Sequence, residues 1–221
     1  MKGWFRLKKV VSREEALSHL KEGQTIMIGG FLAVGTPETL VDGIIEKRIG
    51  NLTVINNDTA FVDKGTGKLV VNKLIKKFIG SHIGTNPETG KQMNAGEIEV
   101  ELIPQGTLAE RIRSAGVGFG GFLTPTGLGT VVEKGKQKIE IDGKTYLLEL
   151  PLRAEVALLK AAKADEFGNL IYRRLARNFN PMMAMAADLV IVEADEIVPT
   201  GSLDPDEIVT PGIFVDMIVK G

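Results

Sequence analysis

The residues best placed to do chemistry lie between Gly23 and Leu40, GQTIMIGGFLAVGTPETL. Thr25-Ile26-Met27-Ile28 is an apolar run short enough for a buried strand. It ends in Gly29-Gly30, and a third glycine follows at Gly35. Thr36-Pro37-Glu38 then signals a helix start, with Thr36 as N-cap and Pro37 at the first helical position. A glycine-rich turn between strand and helix lets backbone N–H groups approach a ligand closely, and a helix N-terminus favours an anion. The same pattern suits a plain tight corner, so spacing alone leaves both readings open.

Other polar residues sit where an open parallel sheet binds ligands, at the C-terminal ends of strands. Asn56-Asn57-Asp58 follows the apolar run Leu52 to Ile55, and Gln105 follows the strand-like stretch Glu97 to Ile103. Asn and Asp also favour simple turns. His82, in the loop Ser81 to Asn86, is a lone histidine and reads as structural more readily than as a base. Glu97, Glu99 and Glu101 repeat with a period of two, which points them together into solvent rather than into a catalytic pair. The acidic cluster Glu193-Ala194-Asp195-Glu196 reads as a solvated turn. Gly116 to Gly121, GVGFGG, has dinucleotide-fingerprint spacing, but a helix rather than a strand precedes it, so that reading fails. Gly116 to Gly129 reads as a loop shaped around a ligand or partner.

These residues need a frame. Ser12-Arg13-Glu14-Glu15 is a capping box opening a helix that should end near Gly23. A second helix should run from Pro37 to about Arg48, burying Leu40, Val41, Ile44 and Ile45, with Gly50 as its stop. Strands are expected at Leu52–Ile55 and Lys73–Ile79, a short helix from Pro87 to about Asn94, and another helix over Thr107–Ser114. Lys138–Ile141 and Thr145–Leu148 flank Asp142-Gly143, a strong hairpin signal. Ala154–Leu159 reads as a buried strand, Leu170–Tyr172 as a short one, and Asn180–Ala187 as a methionine-rich helix whose methionines fill core gaps. Leu189–Val192 and Ile213–Val219 are the last strands. Alternation of strand and helix predicts an α/β fold: an open, mostly parallel sheet with right-handed crossovers and helices on both faces.

The 221 residues suit a single domain spanning 1–221 with a sizeable core. A net charge of -1 offers no nucleic-acid tail and no electrostatic membrane anchor. With no cysteine there is no disulfide, no thiol nucleophile and no cysteine metal site. Two histidines alone do not make a multi-histidine metal centre. The N-terminal stretch MKGWFRLKKVV lacks the apolar run of a signal peptide, and no apolar run approaches the length of a membrane span, so a cytoplasmic location is expected.

Gly29-Gly30-Phe31-Leu32-Ala33-Val34-Gly35-Thr36-Pro37, after its strand, closely resembles the family I coenzyme A transferase signature. Four further stretches resemble the same family: Asn56 to Asp58, Pro104 to Arg113, Phe122 to Gly127 and Ala176 to Asn180. They run in order over nearly the whole chain. The resemblance implies the open CoA-transferase-like α/β fold and the alpha subunit of a 3-oxoacid or acetate CoA-transferase. It implies that CoA or acyl-CoA is a substrate, and that no cofactor is tightly bound and no metal is used. The catalytic glutamate of the family lies in a Ser-Glu-Asn-Gly-like motif on a beta subunit. No Glu-Asn-Gly occurs here; Asp165-Glu166-Phe167-Gly168 departs at the asparagine. No catalytic residue is therefore expected in this chain. Gly29, Gly30, Phe31, Leu32, Ala33, Val34 and Gly35 are expected to bind CoA, and Asn57 and Gln105 to line the substrate cleft. The partner would be that beta subunit, in a heterodimer or α2β2 complex. Two alternatives remain at this point: a non-catalytic regulatory domain binding acyl-CoA or a phosphorylated metabolite, and a sugar-phosphate isomerase with Asp58 or Asp63 as base.

Overall fold

Parallel strands covered on both faces need near-continuous apolar runs, and the runs in this chain pair as that rule requires. The computed structural model describes residues 9–221; the basic stretch 1–8, which bears on the signal-peptide question, lies outside them. In order, the elements are β1 (Lys9–Val10), α1 (Arg13–Leu17), β2 (Thr25–Ile28), α2 (Glu38–Glu46), β3 (Leu52–Ile55), α3 (Thr66–Val71), β4 (Ile75–Gly80), α4 (Pro87–Asn94) and β5 (Glu99–Leu102). There follow α5 (Gln105–Val117), β6 (Phe122–Thr124), β7 (Lys138–Ile141), β8 (Lys144–Glu149), β9 (Ala154–Asp165), β10 (Leu170–Ile171), α6 (Asn180–Met185), β11 (Ala187–Val198) and β12 (Met217–Lys220).

The main sheet has the order β1-β12-β11-β9-β2-β3-β4-β5, parallel throughout, with β10 antiparallel on β9. Neighbouring residues of one strand serve opposite cores. Met27, Leu159 and Val192 face a core shared with α5 and α6, built on Leu108, Ile112 and Met183. Ile26, Leu158 and Ile191 face the other, with Leu17 of α1, Leu40 and Ile44 of α2 and Leu69 of α3. Truncating one of these, for example Leu158→Ala, should cost about 2–5 kcal/mol.

Several boundaries depart from the sequence reading. Helix α1 stops at Leu17, where the Ser18 hydroxyl takes the Glu15 carbonyl (2.6 Å). Helix α2 starts at Glu38, and Thr36 does not cap it; Pro37, with ψ 79°, holds the chain outside the helix. Its stop is Arg48 at φ 51°, with Ile49 N bonded to Ile44 O, so Gly50 is not needed. Helix α3 has no counterpart in the sequence reading. The last strand begins at Met217, after a 3₁₀ turn over Gly212–Phe214.

The glycine-rich segment 116–129 is not one loop. Helix α5 runs to Val117, Gly118 caps it at φ 80°, and β6 then joins the hairpin in a second, antiparallel sheet ordered β6-β8-β7. Asp142 and Gly143 both have positive φ (51° and 71°), the type I′ geometry that matches strand twist. Glu99 and Glu101 both pair with Lys77 of the neighbouring strand, at 2.8 and 3.0 Å. Among the described residues no helix is long and apolar enough to cross a membrane.

Candidate functional site

Strand β2 makes its last sheet bond through Gly29 N to Leu158 O (2.9 Å), and the chain then leaves the sheet. Phe31 and Val34 exchange backbone hydrogen bonds of 3.1 and 2.9 Å around Leu32 and Ala33. Both central residues have positive φ, 47° and 67°. That conformation costs a residue with a side chain about 1–2 kcal/mol, so something must hold it.

Two clamps do so. From one side the Asp58 carboxylate accepts Leu32 N at 3.0 and 3.2 Å. From the other, Asn178 Oδ1 accepts Gly30 N (3.2 Å) while its Nδ2 donates to Val34 O (2.8 Å). Asn180 Nδ2 donates to Gly35 O (3.0 Å) and Ala176 O (2.9 Å), and its Oδ1 accepts Lys160 N (3.1 Å). This approach explains the glycines. A Cβ on Gly29 would lie 1.9 Å from Asn180 Oδ1, and one on Gly35, at φ 78°, would lie 2.7 Å from Ala176 O. The turn is thus pressed against its own chain, leaving Phe31 and Val34 exposed on either side of Leu32 and Ala33.

Asp58 is only 2% exposed and belongs to a longer network. It accepts Asn57 Nδ2 (2.7 Å) and Ala60 N (2.8 Å). Asn57, also buried, accepts the Ser81 hydroxyl (2.9 Å) and Gln105 Nε2 (2.8 Å) on its Oδ1. One chain of hydrogen bonds therefore links the loops after β2, β3 and β4 to the start of α5. Gln105 is exposed, and Asn57 fixes one edge of its amide while the rest faces outward. Both Asp58 oxygens are taken by N–H donors, which gives no support to its use as an isomerase base. Asp63 is exposed in the Phe61–Lys64 turn, beside an open cavity of about 410 Å³ also lined by Thr85 and Pro87. His82 is exposed, and its backbone bridges to Asp58.

The acidic cluster is the main correction. Strand β11 runs straight through it, and Glu193 faces inward with its side chain 3% exposed. Its Oε2 accepts Leu40 N (3.1 Å) and its Oε1 meets Lys160 Nζ (3.0 Å), across the β9–β11 register Glu193↔Lys160. The anion at the N-terminus of α2 is thus the protein's own carboxylate. Burial disfavours the Lys160 charge, yet hydrogen bonds to Asp195 and Glu193 outweigh it and raise the ammonium pKa above the ordinary lysine value. A continuing strand and a partner on a neighbouring strand cannot be told from a solvated turn by local pattern. The roles of Asn178 and Asn180 were also missed, although they lie in one of the five stretches that carried the resemblance.

The coenzyme A transferase family model matches residues 10–221. The chain belongs to the coenzyme A transferase family. It is 56% identical over 211 residues to acetate CoA-transferase subunit alpha of Escherichia coli, covering 96% of each chain. It is 54% identical over 212 residues to the acetoacetyl-CoA:acetate/butyrate CoA transferase alpha subunit of Clostridium acetobutylicum, covering 96% of this chain and 97% of that one. Two solved structures share the fold. An acyl-CoA transferase from Escherichia coli superposes with TM-score 0.84 at 22% identity, covering 98% of this chain and 47% of that one, so this CoA transferase chain spans about half that enzyme's length. Glutaconate coenzyme A-transferase from Acidaminococcus fermentans superposes with TM-score 0.84 at 20% identity, over 97% of this chain and 76% of that one.

Proposed function

We propose that this chain is the alpha subunit of a CoA-transferase that moves CoA between an acyl-CoA and a short-chain or 3-oxo carboxylic acid. The carrying observation is 56% identity, over 96% of both chains, to an acetate CoA-transferase alpha subunit. A beta subunit completes the enzyme, as a heterodimer or an α2β2 complex acting in the cytoplasm, with CoA as substrate and neither metal nor redox group taking part. Residues 1–221 act as one domain of it.

The chemistry is covalent catalysis by a carboxylate. A beta-subunit glutamate attacks the thioester carbonyl and expels CoA thiolate, leaving an acyl-glutamyl anhydride. The thiolate attacks the glutamyl carbonyl, releasing the first acid and forming a glutamyl-CoA thioester. The acceptor carboxylate reverses both steps, takes CoA and restores the glutamate. Each tetrahedral intermediate needs fixed N–H donors. This chain supplies the wall opposite the nucleophile. Gly29 to Gly35 contact CoA through a backbone whose strained shape is held by Asp58, Asn178 and Asn180. Gln105 faces the substrate, oriented by Asn57. Phe119, exposed beneath the Arg113 guanidinium (5.9 Å to the ring centre), lies on the face offered to the beta subunit.

The test mixes the chain with its cognate beta subunit and measures CoA transfer from acetoacetyl-CoA or acetyl-CoA to carboxylates. No transfer with any short-chain acid pair overturns the proposal. Transfer that needs both chains supports it over a non-catalytic acyl-CoA-binding domain.

A further inference from the structure

Arg173, Arg174 and Arg177 are exposed, and among the described residues none makes an ion pair, in a chain whose formal net charge is only -1. They lie on the segment that clamps the glycine turn. Arg174 and Arg177 open and close one 3₁₀ turn, with Arg174 at φ 52°, so all three guanidiniums leave the chain within five residues of one another. Beneath them the backbone is fixed. Ala176 N bonds Arg173 O (3.1 Å), Ala176 O accepts Asn180 Nδ2, and Asn178 Nδ2 bridges Leu175 O (2.8 Å) and Val34 O. Between the arginines Leu175 stands 79% exposed, next to exposed Val34. An uncompensated cationic cluster and an apolar strip therefore meet at the edge of the turn.

We propose that these arginines bind the phosphate groups of the acyl-CoA, while Leu175 and Val34 carry its thin, uncharged arm toward the turn. The inference rests on the function proposed above. The charge count selects this ligand. A diphosphate and a phosphomonoester together bring about four negative charges near neutral pH, enough to give each of the three guanidiniums a counter-charge. A substrate carboxylate brings one and would leave two arginines without a counterpart. Guanidinium is also the side chain suited to bidentate phosphate contact.

The assay compares two donors on the alpha–beta complex: acetoacetyl-CoA, and acetoacetyl-pantetheine, which has the same arm and thioester but no phosphate. In the triple variant Arg173→Gln/Arg174→Gln/Arg177→Gln, kcat/KM for acetoacetyl-CoA should fall at least about tenfold more than for acetoacetyl-pantetheine. The loss should appear in KM, and added salt should weaken acetoacetyl-CoA binding in the wild type but not in the variant. Replacing all three by lysine should recover part of the loss. Equal losses for both donors overturn the inference and leave the arginines a structural task. A rise in KM for the acceptor acid alone also overturns it, in favour of carboxylate binding. If the triple variant does not pair with the beta subunit, Arg174→Gln carries the same comparison with the same criteria. If the wild-type complex transfers nothing, it is the function itself that fails.

Discussion

Replacing Asp58 by alanine tests what keeps the glycine turn in its unfavourable shape. The carboxylate accepts three donors: Leu32 N, Ala60 N and Asn57 Nδ2. Leu32 is partly exposed, so its N–H can turn to water once the carboxylate is gone. Ala60 and Asn57 are each 2% exposed, and their donors stay buried. A buried donor without an acceptor costs about 1–3 kcal/mol, so two cost about 4 kcal/mol. Relaxation of the turn returns part of this. Asn178 still holds the other side, so we count one residue's strain, about 1–2 kcal/mol. The net loss is about 2–3 kcal/mol. With a urea slope of about 2–3 kcal/mol per molar for a chain of this size, the unfolding midpoint should fall by about 1 M. Far-UV circular dichroism through a urea titration reads that shift. Transfer by the reconstituted complex should fall at least about tenfold, because donors displaced by an ångström lose their alignment. Asp58→Asn keeps one acceptor oxygen and should lose less on both counts. A midpoint for Asp58→Ala within about 0.3 M of wild type, with full transfer activity, would refute the clamp.

Gly35→Val drives a branched side chain into Ala176 at a backbone φ of 78°, so transfer should fall at least about tenfold while size-exclusion chromatography still shows the complex; near-normal activity would remove the turn from the site. Lys160→Ala leaves the buried Glu193 carboxylate without its cation, and thermal or urea unfolding should report a loss of about 3 kcal/mol; no measurable change would mean the pair is immaterial. The folded-state pKa of Lys160 is raised, so its contribution is fully present below the ordinary lysine value of 10.5 and is lost as pH rises through the higher folded value. Stability measured against pH should therefore decline above pH 10.5, and that part of the decline should be absent in Lys160→Ala. Borohydride reduction after incubation with acyl-CoA should label a glutamate of the beta subunit alone; a label on Glu166 or any other glutamate of this chain would overturn the division of labour.

Local signals carried much of the architecture. Apolar runs located β2, β3, the first half of β9 and the early part of β11, and Asp142-Gly143 located the hairpin, because each is decided within a few residues. The sheet order was not legible, since nothing near Ile26 announces Val156 as its neighbour. Glu193 was misread for the same reason: its countercharge comes from a different strand. Thr36 has the right residue type for a cap, but its hydroxyl would lie 2.2 Å from a Cβ on Gly30, packed against the turn instead. At the site, the glycines were found from their spacing, yet the reason for them was not. They answer to Asn180 and Ala176, far away in the chain.

That separation bears on how the chain acquires its shape. Strands β2 to β5 follow one another through single helices, so this half can pair soon after it is made. The centre of the sheet cannot: Thr25 N reaches the Glu155 carboxylate 130 residues away, and Gly30 N reaches Asn178 across 148. Long-range pairing of this kind slows folding far more than it weakens the product. Until β9 arrives, the β2 edge of the nascent chain offers unpaired backbone groups to other chains. We expect the glycine-rich turn to be shaped late, when residues 174–180 dock. During refolding, recovery of the chain's ability to support transfer with added beta subunit should then lag behind the recovery of helical signal.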